Sequence, residues 1–114
     1  MEFKNYIGGE WVETSNSSQN INPSDTSDIV GIAARGTADD VDRAIDAARN
    51  AAPGWAVSTP QQRFDVLDFV GTELLARKDE LGRLLSREEG KTLSEGVGEV
   101  GRAGQVFKFF AGEA

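Results

Sequence analysis

Residues 88–114 read Glu88-Glu89-Gly90-Lys91-Thr92, then a run from Leu93 to Ala114 that carries Gly96, Gly98, Gly101 and Gly104. Val97, Val100, Phe107, Phe110 and Ala111 recur within this run at spacings that place them on one face of a 3.6-residue helix. Each glycine in a helix interior costs roughly 0.5–1 kcal/mol against alanine, so these four together cost about 2–4 kcal/mol. An isolated helix would not survive that loss. The expectation is that another backbone approaches closely here, and that most of this neighbour lies outside the 114 residues.

The segment before this helix follows the same logic. Thr92 with Glu95 spells a capping box that launches it, and Gly90 suits the left-handed residue that ends the preceding helix. That shorter helix presents Leu81, Leu84 and Leu85 inward, and the charges at Arg77, Lys78, Asp79 and Glu80 mark a break before it. Upstream, Thr59, Pro60 and Gln62 form the N-cap, first turn and capping-box partner of another helix. Its Phe64, Leu67, Gly71, Leu74 and Leu75, widened by Val66, Phe69 and Val70, predict burial on more than one face.

Thr37 caps a further helix, with Asp39 and Asp40 at its positive end. Val41, Ala44, Ile45 and Ala48 form its apolar stripe, Pro53-Gly54 is expected to stop it, and Trp55 is read as a packing anchor. Ahead of these helices, residues 1–13 read as a β-hairpin turning at Gly8-Gly9, because two glycines supply the positive φ of a tight primed turn. Residues 14–20 are polar and loop-like, residues 22–28 are turn-rich, and residues 29–34 form a short strand. The predicted division is a hairpin, loop and strand over residues 1–36 and four helices over residues 37–114, together one incomplete domain.

Composition excludes several functions. The net charge of −7 repels a phosphate backbone, so nucleic acid is not an expected partner. There is no cysteine and no histidine, which removes a thiol nucleophile, an imidazole base and an ordinary zinc site. No apolar run reaches membrane-spanning length and the first residues do not read as a signal peptide, so no membrane partner and a cytoplasmic location are expected.

The ordered motifs resemble the N-terminal part of the aldehyde dehydrogenase superfamily. They are Asn5-Tyr6-Ile7-Gly8-Gly9-Glu10-Trp11-Val12, Ile21-Asn22-Pro23-Ser24-Asp25, Asp40-Val41-Asp42-Arg43-Ala44-Ile45, Glu88-Glu89-Gly90-Lys91, Gly98-Glu99-Val100 and Phe109-Phe110-Ala111-Gly112. The resemblance implies an α/β parent, of which this chain is a mainly α-helical fragment with an N-terminal β-hairpin and a short strand. It implies NAD(P)-dependent oxidation of an aldehyde to a carboxylate, with the catalytic cysteine and glutamate in later segments and this chain catalytically silent. Gly98-Glu99-Val100-Gly101-Arg102-Ala103-Gly104 looks most like the semialdehyde-oxidising branch, with 2,5-dioxopentanoate (α-ketoglutaric semialdehyde) the first expected substrate and succinic semialdehyde the second. It further implies a homo-oligomeric parent.

Two pairs of site residues follow. Glu88 in a last helical turn opposes the negative end of the dipole, and the reading from sequence alone is either a solvated glutamate or a cation ligand. The resemblance adds that Glu88 and the main-chain carbonyl of Ile21 contribute to a structural monovalent-cation site for Na+ or K+. Gly98 and Arg102 match positions facing the aldehyde entrance tunnel. Arg102 could grip the carboxylate of an acidic semialdehyde, or pair with Glu95 or Glu99 at the surface. The spelling Gly96-x-Gly98-x-x-Gly101 matches a dinucleotide fingerprint but follows no predicted strand, and no residue is assigned to the cofactor. The rival reading is a free-standing helical module that binds a protein partner through its apolar helix faces.

Overall fold

The computed structural model describes residues 2–114. The chain divides at Val57/Ser58 into two compact units.

The first unit contains β1 (Glu2–Phe3), β2 (Asn5–Ile7), β3 (Glu10–Val12), β4 (Ser17–Ile21), β5 (Ile29–Ala34) and α1 (Ala38–Ala56). β2 and β3 form the antiparallel hairpin expected from Gly8-Gly9, whose φ values are 62° and 89°. Both central residues thus take the left-handed region that a two-residue primed turn demands. Tyr6 lies directly opposite Trp11, with ring centroids 4.8 Å apart, so the pair adds an aromatic contact across the ribbon.

The other strands form a sheet in the order β1-β5-β4, with β1 parallel and β4 antiparallel to β5. β4 corrects the expectation of a loop over residues 14–20. Its Ser17, Ser18 and Gln19 side chains stay exposed while the backbone pairs with Ala34, Ala33 and Ile32. The apolar β5 needs partners for its peptide groups, and a polar edge strand meets that need without burying its own side chains. Val30, 3 % exposed, is the buried side chain of this sheet. The turn-rich run closes the β4–β5 hairpin: the Ser24 amide donates to Asn22 Oδ1 at 2.9 Å, and Asn22 Nδ2 donates to Asp28 Oδ2 at 3.1 Å.

α1 begins as predicted, but its cap is a full box. Thr37 Oγ1 accepts from the Asp40 amide at 3.3 Å, and Asp40 Oδ2 accepts from the Thr37 amide at 2.9 Å. Pro53 does not stop the helix, which continues to Ala56. Proline's fixed φ is helical, so near an exposed end it sacrifices one hydrogen bond without redirecting the chain. Val41 and Ile45, expected to be buried, are exposed, as is Trp55. The helix instead meets β2 and its turn through small residues, with Ala47 Cβ 3.7 Å from where a Cβ on Gly8 would stand. That contact places α1 with the strands in the first unit, which runs to Val57.

The second unit contains α2 (Pro60–Ala76), α3 (Lys78–Glu89) and α4 (Leu93–Glu113). The capping boxes Thr59/Gln62 and Thr92/Glu95 form as the sequence predicts, and Pro60 occupies the first turn of α2. Arg77 alone separates α2 from α3, and its guanidinium bonds both Glu80 oxygens, at 3.0 and 2.7 Å. Gly90, φ 72°, ends α3.

α4 is packed against α2 and α3 along Gly96, Val100, Gly104 and Ala111. Val100 and Ala111 of the expected apolar stripe are buried there and Val97 and Phe107 half-buried, whereas Phe110 is 55 % exposed. Helix axes approach most closely where residues are smallest, and two glycine pairs set the crossings. A Cβ on Gly96 would lie 2.5 Å from the Gly82 carbonyl oxygen, and one on Gly104 would lie 2.7 Å from Leu75 Cγ and 3.3 Å from the Gly71 carbonyl oxygen. The close neighbour inferred for this helix is therefore present within the chain, on α2 and α3, for those two glycines. A Cβ on Gly98, Gly101 or Gly112 would meet nothing within 4 Å. Phe64, Val66 and Phe69 of α2 are also exposed, contrary to burial on several faces.

Candidate functional site at the start of the glycine-rich helix

The first turns of α4 carry an open depression lined by Glu95, Gly98, Glu99 and Arg102. Gly98 and Arg102 are both exposed and are brought together one helical turn apart. Gly98 leaves the backbone bare at this face. The acidic neighbours of Arg102 are committed elsewhere. Glu95 Oε2 accepts from the Thr92 amide at 3.0 Å and from Thr92 Oγ1 at 2.7 Å. These bonds hold its carboxyl below the ordinary range. Glu99 Oε1 accepts from Lys91 Nζ at 2.7 Å. Arg102 itself makes no hydrogen bond or ion pair among the described residues, so the pairing with Glu95 or Glu99 offered as an alternative does not occur.

Lys91 was not singled out by sequence reasoning. It stands between the end of α3 and the start of α4 and also bonds Glu89 at 2.6 Å, with its side chain only 18 % exposed. Glu89 and then Glu99 raise its pKa above the usual lysine value. Its separation from Glu99 matches no i,i+3 or i,i+4 rule, so spacing alone gave no signal.

Glu88 sits half-buried in the last turn of α3, and Ile21 ends β4 beside a register shift in the strand pairing. They belong to different units. Among the described residues no group of three or more Asp or Glu side chains could hold a metal ion. Gly96, Gly98 and Gly101 all lie inside α4, not at a strand-to-helix turn, so their spelling does not build a phosphate-binding loop. In the first unit a shallow groove runs beside the Gly8-Gly9 turn, floored by Ala44, Ala47 and Ala51, with Tyr6 and Asn50 its polar side chains. No helix of the described residues is long and apolar enough to cross a membrane.

The chain is 39 % identical over 113 residues to the alpha-ketoglutarate semialdehyde dehydrogenase of Haloferax volcanii, covering 97 % of this chain and 23 % of that protein. Its fold is similar to a solved NAD-dependent aldehyde dehydrogenase from Sinorhizobium meliloti, with TM-score 0.93 and 27 % identity, covering 99 % of this chain and 23 % of that one. It is likewise similar to an E. coli NADP dependent enzyme, with TM-score 0.92 and 32 % identity over 98 % of this chain and 24 % of that chain. The chain thus spans less than a quarter of the length of the proteins it matches. With residues 11–114 matching the model described as Aldehyde dehydrogenase family, the conclusion drawn from fold and motifs together is that this chain belongs to the aldehyde dehydrogenase family.

Proposed function

We propose that the chain acts as the N-terminal segment of an enzyme that oxidises a semialdehyde to a carboxylate with NAD or NADP, and that Arg102 receives the substrate's own carboxylate. The observation that carries this reading is the unpaired Arg102 guanidinium beside the bare backbone of Gly98, with Glu95 and Glu99 both held away from it. A guanidinium fork fits a carboxylate with two parallel hydrogen bonds. The first substrate is 2,5-dioxopentanoate and the second succinic semialdehyde, in keeping with the name of the Haloferax relative. The nicotinamide cofactor accepts the hydride in such an oxidation, and a water oxygen enters the product. This chain has no cysteine or histidine, and the catalytic cysteine and glutamate of that enzyme are proposed to lie in its later segments. Its part is to line the approach of the aldehyde and orient its anionic end. A homo-oligomeric, cytoplasmic enzyme is part of the same proposal.

Ile21 and Glu88 are proposed contributors to a structural Na+ or K+ site in that enzyme. Glu88 supports this because a carboxylate in the last turn of α3 opposes the helix dipole, a conflict that a cation relieves.

Steady-state oxidation of 2,5-dioxopentanoate, succinic semialdehyde and propanal, each with NAD and with NADP, tests the reading. A kcat/KM at least about tenfold higher for the two acidic aldehydes is expected, since ~1.4 kcal/mol of carboxylate recognition gives that factor. Equal values for propanal and the semialdehydes would refute it.

A further inference from the structure

We propose that Lys91 is a positioning residue that holds Glu99 off Arg102 and so keeps the guanidinium open to an anionic substrate. This rests on Arg102 being the carboxylate grip proposed above. Glu99 and Arg102 are three residues apart on α4, a spacing at which opposite charges on a helix are neighbours and pair by default. They do not pair here, because Lys91 Nζ takes Glu99 Oε1 at 2.7 Å.

Lys91 is itself fixed from two directions. Its Nζ bonds Glu89 Oε2 at 2.6 Å, and its main-chain carbonyl accepts from Ser86 Oγ at 2.6 Å. Gly90, in the left-handed conformation, turns the chain so that Lys91 leaves α3 and reaches along α4. The lysine therefore stays between two carboxylates instead of swinging into solvent, as its 18 % exposure shows. The other acid near Arg102, Glu95, is committed to Thr92 through the capping box. Glu89-Gly90-Lys91-Thr92 thus diverts both acids of the first turns, and Arg102 is left the one cation of this face without a partner among the described residues.

The test is Lys91→Met in the enzyme carrying this segment, compared with Arg102→Ala and with the double variant Lys91→Met/Glu99→Gln. Releasing Glu99 onto Arg102 makes an exposed ion pair, which should raise KM for 2,5-dioxopentanoate about two- to fivefold. kcat and the KM for propanal should not change, and Glu99→Gln in the same molecule should restore the acidic KM. An equal rise for propanal, or no rescue by Glu99→Gln, would show a merely structural lysine and overturn the proposal. If Arg102→Ala raises the acidic KM while Lys91→Met does not, the positioning role falls and the proposed function stands. If Arg102→Ala has no effect on acidic aldehydes, the proposed function falls. In that case the exchange of the Arg102 Nε proton in the 114-residue chain, followed by NMR, decides the diversion itself. Lys91→Met should slow that exchange about twofold or more and Glu99→Gln should reverse it; unchanged exchange overturns the inference.

Discussion

Replacing Gly96 by alanine probes the packing of α4 more sharply than any polar change. The new Cβ would stand 2.5 Å from the Gly82 carbonyl oxygen and 3.4 Å from the Ser86 amide nitrogen. Both are backbone atoms of α3, so no side chain can rotate away, and the helix crossing must open. Opening a packed contact in this way costs typically about 1–3 kcal/mol. Alanine returns roughly 0.5–1 kcal/mol of helix propensity, leaving a net loss of about 0–2.5 kcal/mol. Gly98→Ala is the matched control, because its Cβ meets nothing within 4 Å. There only the propensity gain remains, so that variant should be more stable by about 0.5–1 kcal/mol. The propensity term cancels between the two, and their difference isolates the crossing. Urea unfolding of both variants of the chain, read by circular dichroism, measures it. Gly96→Ala and Gly98→Ala shifting the midpoint in the same direction by the same amount would refute the close crossing at Gly82.

Three further outcomes follow from the geometry. Thr92→Ala removes the N-cap of α4 and should lower stability by about 1 kcal/mol, checked by the same unfolding experiment; no change would mean the capping box carries nothing. Asp40, Glu80 and Glu95 have carboxyls held low by hydrogen bonds from Thr37, Arg77 and Thr92, respectively. Folded values below the unfolded ones give stability that is present above the unfolded pKa and lost as pH falls through the folded one. Thermal midpoints should therefore drop on acidification below about pH 4.5, the ordinary glutamate value, and Glu95→Gln should make that drop shallower. For the proposed cation site, the enzyme's thermal midpoint should be higher in K+ or Na+ than in tetramethylammonium, and Glu88→Gln should abolish the difference.

The local signals were the legible part of the fold. Gly8-Gly9, Thr59-Pro60, Gly90 and Thr92 act through the geometry of their own turn, and each does in the structure what its residue type dictates. Misread segments depend on partners distant in sequence. β4 pairs because β5 requires it, although Ser17 to Asn20 carry no strand signal of their own. On α4, Val100 and Ala111 pack as their helical spacing indicates, whereas Phe110 stays exposed because the closest crossings, with Gly82 and Gly71, fall on Gly96 and Gly104. The same holds for the site. Gly98 and Arg102 could be named from the family resemblance, but the state of Arg102 depends on Lys91, whose bond to Glu99 spans the junction between two helices.

The central claim is that the open face of α4 selects for a negatively charged aldehyde through Arg102. The ratio of kcat/KM for 2,5-dioxopentanoate to that for propanal, in the enzyme and in its Arg102→Ala variant, tests it most directly. A charge-assisted contact of about 1–2 kcal/mol predicts that the ratio falls roughly five- to thirtyfold on removing the guanidinium, chiefly through KM for the acidic substrate. A ratio that stays the same in Arg102→Ala would contradict the account.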